Sequence, residues 1–484
     1  MAGRFRDNDA PKQSVNLTNI LLLVVSVLCV ATIIFCVVGT ITYLNGDGQE
    51  PDVSLDNTDS SVPSSEPSQP TEPVIPNEVI VLMEKADFIA AGYDYAKAIS
   101  MLESSEYYGQ YAVLSQKVAE YQQLDSQLVV YDKPETVTHV FFHSLIADTN
   151  RAFDGDNDSG GYNMYMTTIS EFIAMMESMY ERGYVLISPY DLAYEVTDES
   201  GTHFTYGEIR LPAGKKPFIM SQDDLNYYGY MVSDGHGKDE IPKYVNSSND
   251  GFAHKIVIGL DGYPTCEYMD ADGNIVTGDY DLVPVLETFI QQHPDFSYHG
   301  ARAILGFTGY EGVLGYRTKP GYNVQNGGVM SMEDWNAEVE AAKAVVQCLK
   351  EHGWIMASHS YGHPAYGNIE AYRVEADSQK WEDRVQFVIG DTDIILYPYG
   401  SDIAGGEKYT FSNAKFKALY DDGYRYFFNV DSADYWNQLG DNYFRGARRN
   451  LDGVRMYYNP DKLDDLFDVA DVFDKARPTP VPKG

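Results

Sequence analysis

From about Thr136 onward, short runs of β-branched and aromatic residues alternate with amphipathic stretches, so a period of two gives way repeatedly to one of 3.6. VTHVFFHSL, YVLISP, KPFIMS, ARAILGF, WIMASHS, DIILYPY and YRYFFNV read as strands. EFIAMMESMYERG, EDWNAEVEAAKAVVQCLKEHG and NAKFKALYDDG read as helices between them. In the second of these, Trp335, Val339, Ala342, Val346 and Leu349 mark one face before Gly353 stops it. Such alternation implies parallel strands joined by crossover helices. The count of units, and the lack of a glycine-rich phosphate loop after an early strand, predict an irregular TIM-like (β/α) barrel of class α/β over residues 136–475.

The N-terminal side has a different pattern. Ile20 to Leu44 is an uncharged apolar run, longer than the roughly 20 residues that cross a bilayer, and reads as a transmembrane helix. Its length and the absence of a small-residue cleavage site argue against a removed signal peptide. Arg4, Arg6 and Lys12 precede it, and Asp47, Glu50, Asp52 and Asp56 follow it. This asymmetry places residues 1–19 in the cytoplasm and the rest of a single-pass protein outside the cell. Residues 45–77, rich in Asp, Ser, Pro, Thr and Glu, read as an extended linker. Residues 78–132 carry helical spacing with a break near Gly92, and AAGYDYAKAI resembles part of a tetratricopeptide repeat, so a short helical stalk or protein-docking element is expected. ARPTPVPKG, residues 476–484, reads as a frayed tail.

Composition narrows the partners. Against 35 Lys and Arg stand 72 Asp and Glu in 484 residues, a formal charge of −37 that argues against nucleic acid. Of four cysteines, Cys29 and Cys36 fall in the apolar run, and pairing of Cys266 with Cys348 stays open.

Candidate chemistry falls where strands end: His143 after VFF, Asp223 and Asp224 after FIMSQ, His359 and His363 after IMAS, Pro398 to Gly400 after IILY, and Asp431 with Asp434 after FFNV. In a β/α barrel those ends share one rim. HSYGH sets two imidazoles four residues apart, a spacing that suits joint coordination of one ion, and two adjacent aspartates repel unless a cation or hydrogen bonds absorb the charge. Two histidines and one carboxylate leave a position open on a zinc-like divalent ion, the composition of a hydrolytic site, with the second carboxylate free to act as base. An ordinary histidine loop beside a turn-forming aspartate pair is the alternative. His139, four residues before His143 on one strand face, reads as structural. DGDNDSGG, residues 154–161, lacks the closing glutamate of a calcium loop and reads as a solvated turn.

SQDDLNYY, HSYGHP, YPYG and VDSADYW resemble, in order, the first four motifs of the NodB-like polysaccharide deacetylases, over about Thr136 to Asp474. The resemblance implies Asp223 as base, Asp224, His359 and His363 as metal ligands, and the Tyr399 backbone N–H as an oxyanion donor. It further implies removal of acetyl groups from a cell-surface N-acetylglucosamine polymer or, less often, from acetylated xylan. Tyr227, Tyr228, Pro398, Asp434 and Trp436 are then expected around the substrate. Two departures stand out. Leu396 and Tyr397 precede Pro398 where the family has an arginine that steadies the base, which implies a less well oriented Asp223. No histidine follows His363, so the acid is assigned to His143, because VFFHSL resembles the early histidine strand of the circularly permuted poly-N-acetylglucosamine branch. The missing arginine leaves a degenerate carbohydrate-binding descendant as one alternative, and a metal-dependent hydrolase of another amide or ester as the other. Leu225 to roughly Met332 reads as a large insertion between the first two motifs.

Overall fold

The computed structural model describes residues 75–232, 249–431 and 433–483. The expected cytoplasmic tail, transmembrane helix and nearly all of the linker lie outside them. Among the described residues no helix is long and apolar enough to cross a membrane.

The barrel strands are β1 (Thr138–Phe142), β2 (Tyr184–Leu186), β3 (Lys216–Gln222), β4 (Ile304–Phe307), β5 (Ile355–Ser358), β6 (Ile394–Leu396), β7 (Tyr426–Val430) and β8 (Phe444–Asn450). Parallel ladders run β1–β3–β4–β5–β6–β7–β8 and back to β1, a closed ring of seven strands. β2 pairs with the first half of β3 and β4 with its last residues, so β3 serves both neighbours along one edge.

Alternation along each strand sorts the side chains into two populations. Ile219, Ile304, Ala357, Ile394, Leu396, Phe428 and Phe444 pack together in one buried cluster inside the ring. Val140, Phe142, Phe218, Met220 and Leu305 pack outward against helices such as α4 (Ile169–Glu181), which buries Phe172, Met175, Met176 and Met179. α4 starts with a capping box, Thr168 and Glu171 each bonding the other's backbone N–H. Gly306 of β4 faces inward where a Cβ would come within 2.9 Å of Leu396 Cδ1 and 3.5 Å of His359 Cβ, so a larger residue there would have to push the Leu396 side chain aside.

The region before the barrel forms α1 (Asn77–Ala91), α2 (Tyr95–Glu103) and α3 (Ala112–Asp125), with the break at Gly92 as expected. These helices lie against the barrel rather than projecting from it. Gly92 O accepts from His299 N at 2.8 Å, Tyr93 Oη donates to Asp295 O at 2.9 Å, and Arg210 Nη1 bonds Asp125 Oδ1 at 2.9 Å. The tail also departs from expectation. Arg477 is buried and pairs with buried Glu171 at 2.5 Å, Asn163 Nδ2 donates to Pro478 O, and Tyr458 Oη donates to Val481 O. A single arginine with a fixed partner outweighs the proline-rich composition that suggested fraying. The insertion from Leu225 to Met332 supplies, among its described residues, the expected strand β4 in ARAILGF, together with α5 (Leu282–Gln292) and an antiparallel meander of Lys255–Ile258, Pro264–Met269 and Ile275–Gly278. Cys266 and Cys348 are buried free thiols.

Candidate metal centre and active site

The two-residue period that buries Ile219 inside the ring also turns Ser221 and Asp223 inward, and on β1 it gives His139, Phe141 and His143 one parity. Chain segments after β3 and β5 then meet at the C-terminal rim. One ligand atom each of Asp224, His359 and His363 lies within 4.8 Å of the others. His359 Nδ1 donates to Leu396 O at 2.7 Å, which fixes the tautomer and leaves Nε2 as an acceptor. His363 Nε2 faces that nitrogen at 3.2 Å. Two imidazole nitrogens in such proximity, with a carboxylate beside them, make an N,N,O donor set that would hold a divalent ion. Burial, the largest influence, holds the His363 pKa below its ordinary value and so favours the neutral ligand form.

Asp224 carries a second bond: Tyr228 Oη donates to its Oδ1 at 2.7 Å and also meets Thr308 Oγ1 at 2.7 Å. Asp224, Tyr227, Ser360, His363 and Tyr399 all have φ between 52° and 61°, a left-handed conformation that side chains adopt at a cost. Five strained residues on three rim loops show that packing of the surrounding barrel overrides local preference here.

Asp223 lies beside the triad with Oδ2 3.8 Å from His359 Nε2. Its other oxygen accepts a 2.6 Å bond from Arg448 Nη1, and both residues are buried. Burial pushes the carboxyl up, but the Arg448 guanidinium and then His359 outweigh it and hold Asp223 well below the usual carboxylate range. Arg448 comes from β8, contacts Ser221 Oγ at 3.2 Å and lies 4.5 Å from the Phe141 ring. The expectation of a poorly oriented base is therefore corrected: an arginine is present, supplied by a different strand from the one where the motif placed it. Sequence reading missed it because FRGARRN carries three arginines and looks like a solvated stretch. The signal was the barrel's need for a strand between YRYFFNV and the C-terminus.

His143 follows β1 directly, half-exposed, within electrostatic reach of Asp223, His363 and buried Asp452. Tyr399 follows β6, its ring centroid 4.5 Å from that of His363, and its N–H sits in the first turn of the short helix Pro398–Gly400, where no intrahelical acceptor exists. A Cβ on Gly400 would meet Val430 Cβ at 2.4 Å, so glycine is required for the turn that presents Tyr399. Pro398 is buried beneath it.

Three expected substrate residues lie elsewhere. Tyr227 is buried, its hydroxyl bonded at 2.5 Å to Asp281 Oδ2 on the insertion. The same carboxylate accepts from Leu145 N and Gln222 Nε2, tying the segments after β1 and β3 together from behind. Asp434 O accepts from Thr138 Oγ1, at the start of β1 and five residues, roughly 16 Å of extended chain, from His143. Trp436 lies 4.7 Å from the Arg445 guanidinium, which alternation turns to the outside of β8. His139 is structural as expected, bonded to Ser221 Oγ at 3.0 Å. The 154–161 turn is closed by its own side chains, Asp156 Oδ1 accepting from Asp158 N and Ser159 N.

The chain matches no protein-family model and no curated protein. Among solved structures, the Streptococcus pyogenes deacetylase PplD in complex with acetate is similar to it at 11% sequence identity and a TM-score of 0.32, over 66% of this chain and 92% of that one, a likeness too remote to carry an argument about either fold or activity here.

Proposed function

We propose that this protein is a metal-dependent hydrolase that removes N-acetyl groups from an N-acetylglucosamine polymer. The observation that carries the reading is the meeting of Asp224, His359 and His363 beside a second carboxylate that Arg448 keeps ionised. A divalent ion such as zinc in that set supplies Lewis-acid polarisation of an acyl oxygen and acidifies a water. Asp223, ionised and fixed, accepts the proton as the water's oxygen attacks the acetamide carbon. The Tyr399 N–H donates to the acyl oxygen as negative charge develops on it. His143 gives a proton to the departing nitrogen as the C–N bond breaks, so the products are acetate and a free amine. Amide hydrolysis is favoured over a purely binding role because the arginine whose absence motivated that alternative is in place. The motif resemblance supplies the sugar class, and the apolar run at residues 20–44 supports a membrane-anchored, outward-facing enzyme acting on the cell envelope.

The test is acetate release from N-acetylglucosamine oligomers, peptidoglycan and acetylxylan, with and without a chelator. Chelator-sensitive release from the first two supports the reading. Release only from acetylxylan moves the substrate to esters, and no release from any of them refutes it.

A further inference from the structure

Histidines four residues apart share a face when they stand on a helix, but His359 and His363 lie on the loop after β5. Their Nε2 atoms come within 3.2 Å because that loop curls back, with Ser360 and His363 both in the left-handed conformation. The residues between the histidines hold the curl. Tyr361 N and Gly362 N donate to Asp377, each at 2.8 Å and each to a different carboxylate oxygen. Tyr361 O accepts from Gly309 N at 2.9 Å, and Gly362 O accepts from Tyr310 Oη at 2.8 Å. Every polar backbone group of these two residues is thus bonded, and a single side chain takes both donors.

Asp377 stands inside the helix Ala371–Trp381, a position that aspartate serves poorly by propensity. The helix itself is anchored: Val374, Ser378 and Trp381 are buried, and Trp381 Nε1 donates to Phe307 O at 2.8 Å, at the end of β4. Lys380 Nζ lies 4.2 Å from the centroid of the Tyr361 ring, so the loop's side chain also packs on this helix. A third donor, Tyr366 Oη, bonds Asp377 Oδ1 at 2.9 Å from outside the loop. We propose that Asp377 is a positioning residue for the metal centre: its carboxylate holds the amides of Tyr361 and Gly362, and through them sets His363 beside His359. The inference rests on the proposed metal centre and states what builds it. A loop curled in advance binds an ion without the cost of being ordered, so loss of the clamp should appear as weaker metal binding.

The experiment measures zinc(II) affinity by chelator competition and the visible absorption of the cobalt(II)-loaded protein. Asp377→Asn keeps the size but offers one acceptor oxygen to two amides, so an NH2 group faces an N–H whichever way it turns. Its zinc affinity should fall roughly 10–100-fold, and the cobalt bands should change in position or intensity. Asp377→Ala should do the same, and serves if the amide variant does not fold. Tyr366→Phe removes only the third bond and should keep the wild-type affinity and spectrum, whatever its melting temperature. Wild-type affinity and spectrum in the Asp377 variants, or an equal loss in Tyr366→Phe, overturn the positioning role and leave the reaction standing if the wild type releases acetate. Weaker binding in Asp377→Asn alone, with no acetate released by the metal-loaded wild type, supports the role while refuting the reaction. A wild type that binds neither ion refutes both.

Discussion

Arg448 donates to Asp223 across 2.6 Å, from a position 225 residues later in the chain, and both side chains are shut off from solvent. Removing either partner strands the other charge in a poorly hydrated site. Arg448→Met should cost about 3–5 kcal/mol of stability and roughly 10–100-fold in kcat/KM. The pH dependence follows from the depressed pKa. In the wild type the pair stabilises the fold in full above the unfolded Asp value near 3.9, and this is lost as pH falls through the lower folded pKa. Without Arg448, burial dominates and the carboxyl rises, so the acid limb of the kcat/KM profile should move to higher pH. A profile that drops in height but keeps its limb would leave Arg448 a structural role only.

Base and ligand roles separate by metal content. Asp223→Asn should keep bound metal and lose about 10²–10⁴-fold in acetate release. His359→Ala should lose the metal itself. Elemental analysis of the two purified variants distinguishes them, and an Asp223→Asn protein that comes out metal-free would make that residue a ligand.

Tyr228→Phe deletes one oxygen, the one that holds Asp224. Metal affinity should weaken roughly 10–100-fold by chelator competition while the fold melts within a few degrees of the wild type. Unchanged affinity would show that Thr308 or water can replace the phenol.

The C-terminal tail should matter to stability more than its composition suggests. Arg477→Ala leaves the Glu171 carboxyl buried without its cation at the start of α4, and a loss of about 3–5 kcal/mol is expected in denaturant titration. Arg477→Met with Glu171→Leu should recover only part of it, because the apolar pair removes the unmatched charge but also the bonds that Glu171 accepts from Thr168 N and Asp474 N.

Strand ends were legible because alternation and helical spacing are local, and a barrel turns strand order into a common rim. That is why His143, Asp223, Asp224, His359, His363 and Tyr399 could be named together. Arg448 was not legible, because its partner is fixed by strand closure rather than by nearby sequence, and three arginines in seven residues resemble a solvated edge. Tyr227 misled because adjacent tyrosines on a loop are equivalent in sequence. A left-handed turn sends Tyr227 to Asp281 in the core and Tyr228 to the rim. Asp434 and Trp436 misled through motif order alone, since a short antiparallel strand at Asn437–Leu439 pairs beside the first residues of β8, at the end of that strand away from the rim.

The β8 strand both closes the ring, between β7 and β1, and delivers the guanidinium that keeps Asp223 charged. The proposed chemistry is thereby tied to a strand that follows every proposed metal ligand in the chain. A nascent chain that has left the ribosome only as far as β7 already contains every proposed metal ligand, yet Asp223, the proposed base, would sit at an open seam without its guanidinium. On the proposed reading, the ring and the charge partner of Asp223 are put in place by the same zippering of β8.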